Sequence, residues 1–269
     1  MRTKTFTLLA GLTLLWSLAA SAQGPSTTCG GRGNLFADGR LSTLTSIPVS
    51  TSFFWDVAFV QGHSYSVELY TELQVFSGGV LQLFVLAPGN TCPDGPTTLT
   101  LSSTIGIAPA GAGGDPQRVS FVAPVTSNGF PGYVVEVKNT SAATAQNFRV
   151  AVTDTTLFNP RWSTFSSFIT QYGFRNTTNT AISVTLTVTD TLGSPPVAAV
   201  TQTFTVPAAG EVFKIIGPSG DIVIPGQHGG FANLATQGPP GSIKADAYFI
   251  NPNGSVIVPS SFDPVNAQH

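Results

Sequence analysis

Charge is scarce in this chain. Lys, Arg, Asp and Glu supply 9% of its 269 residues, against roughly 25% in an average soluble protein. No basic run occurs anywhere, and 11 basic residues face 13 acidic ones. Binding a polyanion needs clustered Lys and Arg to displace counterions, so nucleic acid and anionic membranes are excluded as partners. Histidine is equally thin. The three present, His63, His228 and His269, are far apart in sequence and match no metal-ligand spacing. No D-x-D-x-D-G calcium loop occurs, and no glycine-rich loop precedes a helix to cradle phosphate. No metal and no cofactor are expected. Beyond the N-terminus no apolar run approaches the roughly 20 residues that span a bilayer, so no transmembrane segment is expected in the mature chain. Helix signals are also missing, because 28 Gly and 20 Pro interrupt the chain too often.

What is present begins with a leader. Arg2 and Lys4 form a positive head, Leu8 to Leu18 an apolar stretch, and Ala20-Ser21-Ala22 a small-x-small exit. Residues 1–22 therefore read as a cleaved signal peptide, with Gln23 first in the mature chain. The destination is secreted or at the cell exterior, the periplasm included. Cys29 and Cys92 form an even pair for an oxidising compartment, and a disulfide between them is expected. In the chain-entropy view it would add about 4 kcal/mol.

The rest reads as strands. Ile182, Val184, Leu186 and Val188 alternate with Ser183, Thr185, Thr187 and Thr189. Such a period of two predicts one buried and one solvated face, as in an antiparallel sandwich. Val200 to Val206 and Ile243 to Phe249 repeat the pattern. Asp38-Gly39, Asp94-Gly95, Asn128-Gly129 and Asn253-Gly254 read as tight turns. The fold class is all-β: two antiparallel β-sandwich domains in tandem after the signal. A Gly-rich leader is assigned to 23–44, a first sandwich to 45–157 and a second to 158–269. Val152-Thr153-Asp154-Thr155 and Val188-Thr189-Asp190-Thr191 match each other, a faint sign of repetition.

Several segments of the first domain resemble a known family. Phe53 to Val60, then Gln61-Gly62-His63 and Ser64 to Leu69, read as an aromatic strand, a Gly turn and a following strand. Leu81 to Gly89 reads as a central strand ending in Pro-Gly, and Gly132 to Val137 with Asn147 to Thr153 as a closing hairpin. This order is similar to the bacterial pre-peptidase C-terminal domain family, over roughly residues 45–157. The resemblance implies a compact β-sandwich linked with export, attachment or polymer binding, without catalysis of its own. Pro48 to Ser52 lacks the carboxylates that precede the aromatic strand in calcium-binding members, so calcium is not carried over. The second domain shows only a generic surface sandwich.

No catalytic constellation emerges. Gly62-His63-Ser64-Tyr65-Ser66 approaches a nucleophile elbow but lacks the final Gly, and a strand follows instead of a helix. His228, within Pro225 to Gly230, reads as a solvated loop residue. Glu68 and Glu72 share one strand face and read as solvated surface. The short threonine arrays read as a polar β face. Aromatics are more informative, because a flat ring can stack on sugar. Trp55 is assigned to the core, and Trp162, Tyr172 and Tyr248 are the candidate ligand contacts, with Tyr248 on an outward strand face. The expected function is a non-enzymatic binding or attachment protein for an extracellular polysaccharide or another surface protein. The alternatives are a structural subunit that self-associates through strand edges, and a secreted hydrolase.

Overall fold

The computed structural model describes residues 24–27, 33–71, 81–87, 104–107, 116–127, 132–251 and 253–265, with backbone only for 104–107 and 256–259. The proposed signal peptide, Cys29 and Cys92 lie outside the described residues. Twenty strands follow in order. They are β1 (Gly33–Leu35), β2 (Asp38–Leu41), β3 (Thr45–Ile47), β4 (Ser52–Val57), β5 (Ser64–Thr71), β6 (Leu81–Leu86), β7 (Thr104–Ile107), β8 (Gln117–Val122), β9 (Tyr133–Asn139) and β10 (Gln146–Asp154). Then come β11 (Leu157–Ser163), β12 (Ile169–Asn176), β13 (Ile182–Asp190), β14 (Val200–Val206), β15 (Glu211–Gly217), β16 (Ile222–Val223), β17 (Gly229–Thr236), β18 (Ile243–Ile250), β19 (Val256–Ser261) and β20 (Asp263–Pro264). One short 3-10 turn, Phe165–Ser167, interrupts them.

The strands form four five-stranded sheets. Sheets β1-β4-β9-β6-β7 and β2-β10-β5-β8 (with β3 also on β10) use only strands before residue 155. Sheets β14-β13-β17-β11-β20 and β16-β15-β12-β18-β19 use only strands after residue 156. Pairing is antiparallel except β1 on β4 and β16 on β15. Each pair of sheets closes on one apolar core, as a sandwich must to bury two faces. In the first, Trp55 meets Phe148 edge to face at 5.9 Å between ring centroids, joining its two sheets. In the second, Phe174 meets Phe204 at 5.2 Å.

The alternation read from sequence is the cause. Along β13, Ile182, Val184, Leu186 and Val188 are buried while Ser183, Thr185, Thr187 and Thr189 are half-exposed. Within the assigned leader, β1 pairs with β4 and β2 with β10. One local expectation changes. Asp38-Gly39 is not a hairpin turn. Gly39 has φ +77° inside β2, where the register with β10 shifts between Ala151 and Thr153. A glycine in the left-handed region there makes a bulge.

The two sandwiches share one device. Strands β9 and β12 each end in a buried asparagine and cross to the opposite sheet. Asn139 Nδ2 donates to the carbonyls of Ile47, Pro48 and Thr144, while Asn176 Nδ2 donates to those of Thr180, Val206 and Pro207. The strands that follow, β10 and β13, end in the matching tetrapeptides. Asp154 Oδ2 lies 2.9 Å from His63 Nδ1, and Asp190 Oδ2 lies 2.8 Å from His228 Nδ1. The geometry is equivalent. Asp154 pairs with Tyr65, two residues after His63, and Asp190 pairs with Gly230, two residues after His228. The tetrapeptide match is therefore a structural repeat.

Between β10 and β11 the chain is stitched down. Thr155 N donates to Ser64 O at 2.8 Å, Ser64 N to Thr156 Oγ1 at 2.9 Å and Thr156 N to Asp154 Oδ1 at 2.9 Å. Close by, β17 lies against β5 and β8.

Candidate ligand-binding face

Two of the three aromatic candidates are core residues. Trp162 and Tyr172 are both fully buried. Trp162 points into the sandwich and donates from Nε1 to Thr189 O at 3.0 Å. It was a candidate ligand contact, but β11 turns it inward. Tyr172 packs edge to face on Phe262 at 4.9 Å, and burial pushes its hydroxyl pKa up. Neither ring offers a face to a ligand. Tyr248 differs: it is half-buried and lies on the outer side of β18. Trp55 fills the first core.

Tyr248 belongs to an open sheet surface. Registers across β15, β12 and β18 set three rows on the outer side. The first is Glu211, Arg175 and Lys244. The second is Phe213, Gly173 and Asp246. The third is Ile215, Gln171 and Tyr248. The opposite parity, Val212, Phe174 and Ala245 for example, packs on the second core. Phe213 is 50% exposed, unusual for a ring in the body of a strand. Its Cε1 lies 3.2 Å from where a Cβ on Gly173 would stand. The ring thus leans over a floor that only a residue without a side chain provides. One aromatic face is turned to solvent, with the Gln171 amide one strand and one row away and the Tyr248 ring two strands and one row away. Arg175, Lys244, Glu211 and Asp246 are exposed around it. Two cations and two anions balance, so the surface carries little net charge. It can stack a ring on Phe213 and bond hydroxyls through Gln171, Asp246 and Tyr248.

Sequence reasoning placed Tyr248 on an outward strand face, as the structure has it, and passed over Phe213 and Gly173. Phe213 looked like an ordinary apolar strand residue. The alternation Glu211, Phe213, Ile215 against Val212, Lys214, Ile216 does not reveal which side is inside. Lys214 in fact faces inward, its ammonium 5.0 Å from the Phe204 ring centroid.

Other ionisable groups are structural. His228 is 8% exposed and is no solvated loop residue. Asp190 Oδ1 accepts from Leu192, Gly193 and Gly229 N–H, and Oδ2 accepts from Val197 N–H. Burial alone would raise the Asp190 pKa. The N–H groups of Val197 and Gly193, the His228 ring and Gly229 N–H override it and hold the carboxyl well below the usual range. In both His–Asp pairs the imidazole bonds through Nδ1, and among the described residues no hydroxyl or thiol bonds to Nε2. The pair's recurrence at equivalent positions marks it as a clamp. Glu68, read as solvated, is instead buried, bonded to Arg118 Nε at 2.6 Å and Tyr70 OH at 2.5 Å. Burial and that carboxylate push the Tyr70 hydroxyl up to about 12. Among the described residues no group of three His, Cys, Asp or Glu side chains is placed to hold a metal ion. Nor is any described helix long and apolar enough to cross a membrane.

No family profile and no curated protein matches this chain. Comparison with solved structures finds β-glucuronidases of Bacteroides uniformis. A calcium-binding mutant of β-glucuronidase 2 is 8% identical with TM-score 0.19, covering 78% of this chain and 26% of the enzyme. A β-glucuronidase is 8% identical with TM-score 0.20, and β-glucuronidase 2 covalently bound to cyclophellitol-6-carboxylate aziridine is 9% identical with TM-score 0.20. The chain spans about a quarter of the length of these enzymes. Likeness at this level carries no argument about fold or activity.

Proposed function

We propose that the chain is an exported, non-catalytic binding protein of two sandwich domains, and that the outer face of β15-β12-β18 holds a polysaccharide. The signal-like residues 1–22 and the resemblance of residues 45–157 to pre-peptidase C-terminal domains support export and polymer attachment. The observation that carries the ligand class is the half-exposed Phe213 ring over Gly173, with Gln171 and Tyr248 beside it. A sugar ring has an apolar C–H face and a hydroxyl rim, which such a platform matches. The balanced charges favour a neutral polymer. The flat sheet favours an extended one, since small ligands take concave pockets.

The test is sedimentation with insoluble polysaccharides, followed by calorimetry with soluble fragments of whichever binds. An aromatic contact is worth roughly 0.5–1.5 kcal/mol, so Phe213→Ala and Tyr248→Ala each weaken binding by up to about tenfold. Gly173→Val lifts the ring and weakens it as well. Absence of binding to any neutral polymer refutes the proposal, as does binding that ignores all three changes.

A further inference from the structure

We propose that β14 is a self-association edge, on which a second copy of this chain pairs antiparallel about a two-fold axis through Thr203. The outer edge of β14 faces no other strand among the described residues. An open edge is a template for pairing unless something blunts it. Every other described edge is blunted or short. β1 has three residues, β7 has four, and β16 and β20 have two. β2 carries Asp38 and Arg40, β8 carries Arg118, and β19 contains Pro259. β14 has seven residues, Val-Thr-Gln-Thr-Phe-Thr-Val, with no charge, proline or glycine.

The occupant follows from the sequence of the strand, which reads nearly the same in both directions about Thr203. Antiparallel pairing centred there sets Val200 opposite Val206, Thr201 opposite Thr205 and Thr203 opposite itself. An isologous contact requires such self-complementarity. On the outer face it continues an existing ladder. Thr203 Oγ1 already meets Thr185 Oγ1 at 3.0 Å, and Thr201 Oγ1 meets Thr187 Oγ1 at 3.2 Å. Threonine pairs across strands are favourable. On the inner face, Val200 and Phe204 pack on the second core yet are only half-buried, because no strand covers their far side. A second copy covers them. Gln202 Oε1 is buried with no hydrogen-bond partner. In this register Gln202 lies diagonal to the Gln202 of the other copy, within amide reach. Pro195 and Pro196 before the strand and Pro207 after it confine the pairing to this segment. Lys214, whose ammonium lies over Phe204, belongs to the other sheet, and Asp221 lies 3.7 Å from that ammonium. The product is one continuous ten-stranded sheet, with the β15-β12-β18 faces of both copies left free.

Light scattering after size exclusion, on purified protein at about 100 μM, reads the mass directly. Wild type is expected at twice the mass of one chain. Thr203 is exposed, so substitutions there leave folding intact, which a matching unfolding curve verifies. Thr203→Lys and Thr203→Glu each set like charges opposite one another and halve the mass. Mixing the two variants in equal amounts restores it. Hydrogen exchange adds a second readout: amides of 200–206 are protected in wild type and exchange faster in either single variant. A wild type of single-chain mass overturns the proposal and leaves the edge to a foreign strand. So does a Thr203→Lys variant that keeps the double mass, or growth into open-ended filaments.

Discussion

Replacing Asp190 tests the recurring clamp most directly. The carboxylate gathers five bonds from two loops: the N–H groups of Leu192, Gly193 and Val197 on one, and the His228 ring and Gly229 N–H on another. A hydrogen bond to a charged group contributes about 1.5–3 kcal/mol. Those five share one carboxylate and are not additive. Asp190→Ala strips them all, and a loss of about 3–5 kcal/mol is expected, the upper range for one substitution. Asp190→Asn keeps the acceptor toward Leu192, Gly193 and Gly229 but turns a donor toward Val197 N–H. A loss of about 2 kcal/mol is expected.

The pH dependence gives a sharper reading. The carboxyl is held below its unfolded value, so its contribution is present above about pH 4 and is lost as pH falls through the depressed folded value. Asparagine does not titrate, so the gap between wild type and Asp190→Asn narrows between pH 7 and pH 3. Urea unfolding followed by tryptophan fluorescence measures it. Trp162 reports the event locally, since its indole bonds to Thr189 O, next to Asp190. Trp55 sits in the other core and serves as the internal reference. A gap below about 0.5 kcal/mol at pH 7, or one that does not narrow at pH 3, would refute the clamp.

Three further outcomes follow from the same geometry. Gly193→Ala places a Cβ 2.1 Å from His228 Nδ1 and 2.3 Å from Asp190 Oδ2, so it opens the pair and lowers the denaturant midpoint nearly as far as Asp190→Asn. Asn176→Ala removes a donor from the carbonyls of Thr180, Val206 and Pro207, of which Pro207 keeps the Gly210 N–H, and costs about 2 kcal/mol by urea unfolding; Asn176→Asp, which turns acceptor toward acceptor, costs more. Glu136 is buried, and burial raises its pKa against the opposing pull of Ser52 and Lys138. A raised carboxylate weakens the fold as pH climbs through its folded value, so Glu136→Gln is close to wild type near pH 4 and more stable at pH 7.5 in the same assay.

The His–Asp pairs also bear on catalysis. A histidine beside an aspartate invites an enzymatic reading when it occurs once. Here it occurs twice, each time at the end of a strand that follows a buried-asparagine crossover. The common factor is the corner of a sandwich, where loop N–H groups need an acceptor.

Period-two alternation in β13 and β18 sufficed, from sequence alone, to give an all-β chain of antiparallel sheets, because a half-buried strand must alternate. What alternation cannot say is which parity faces in when both are partly apolar, and there the tertiary structure decided. Trp162 and Tyr172 went to the core because β11 and β12 pack that side against the opposing sheet, and Phe213 was left outside by the same register. His228 found Asp190, 38 residues away, only because β17 pairs with β13. Strand identity is a local property carried by neighbouring residues, whereas inside and outside are fixed by contacts between residues far apart in the chain.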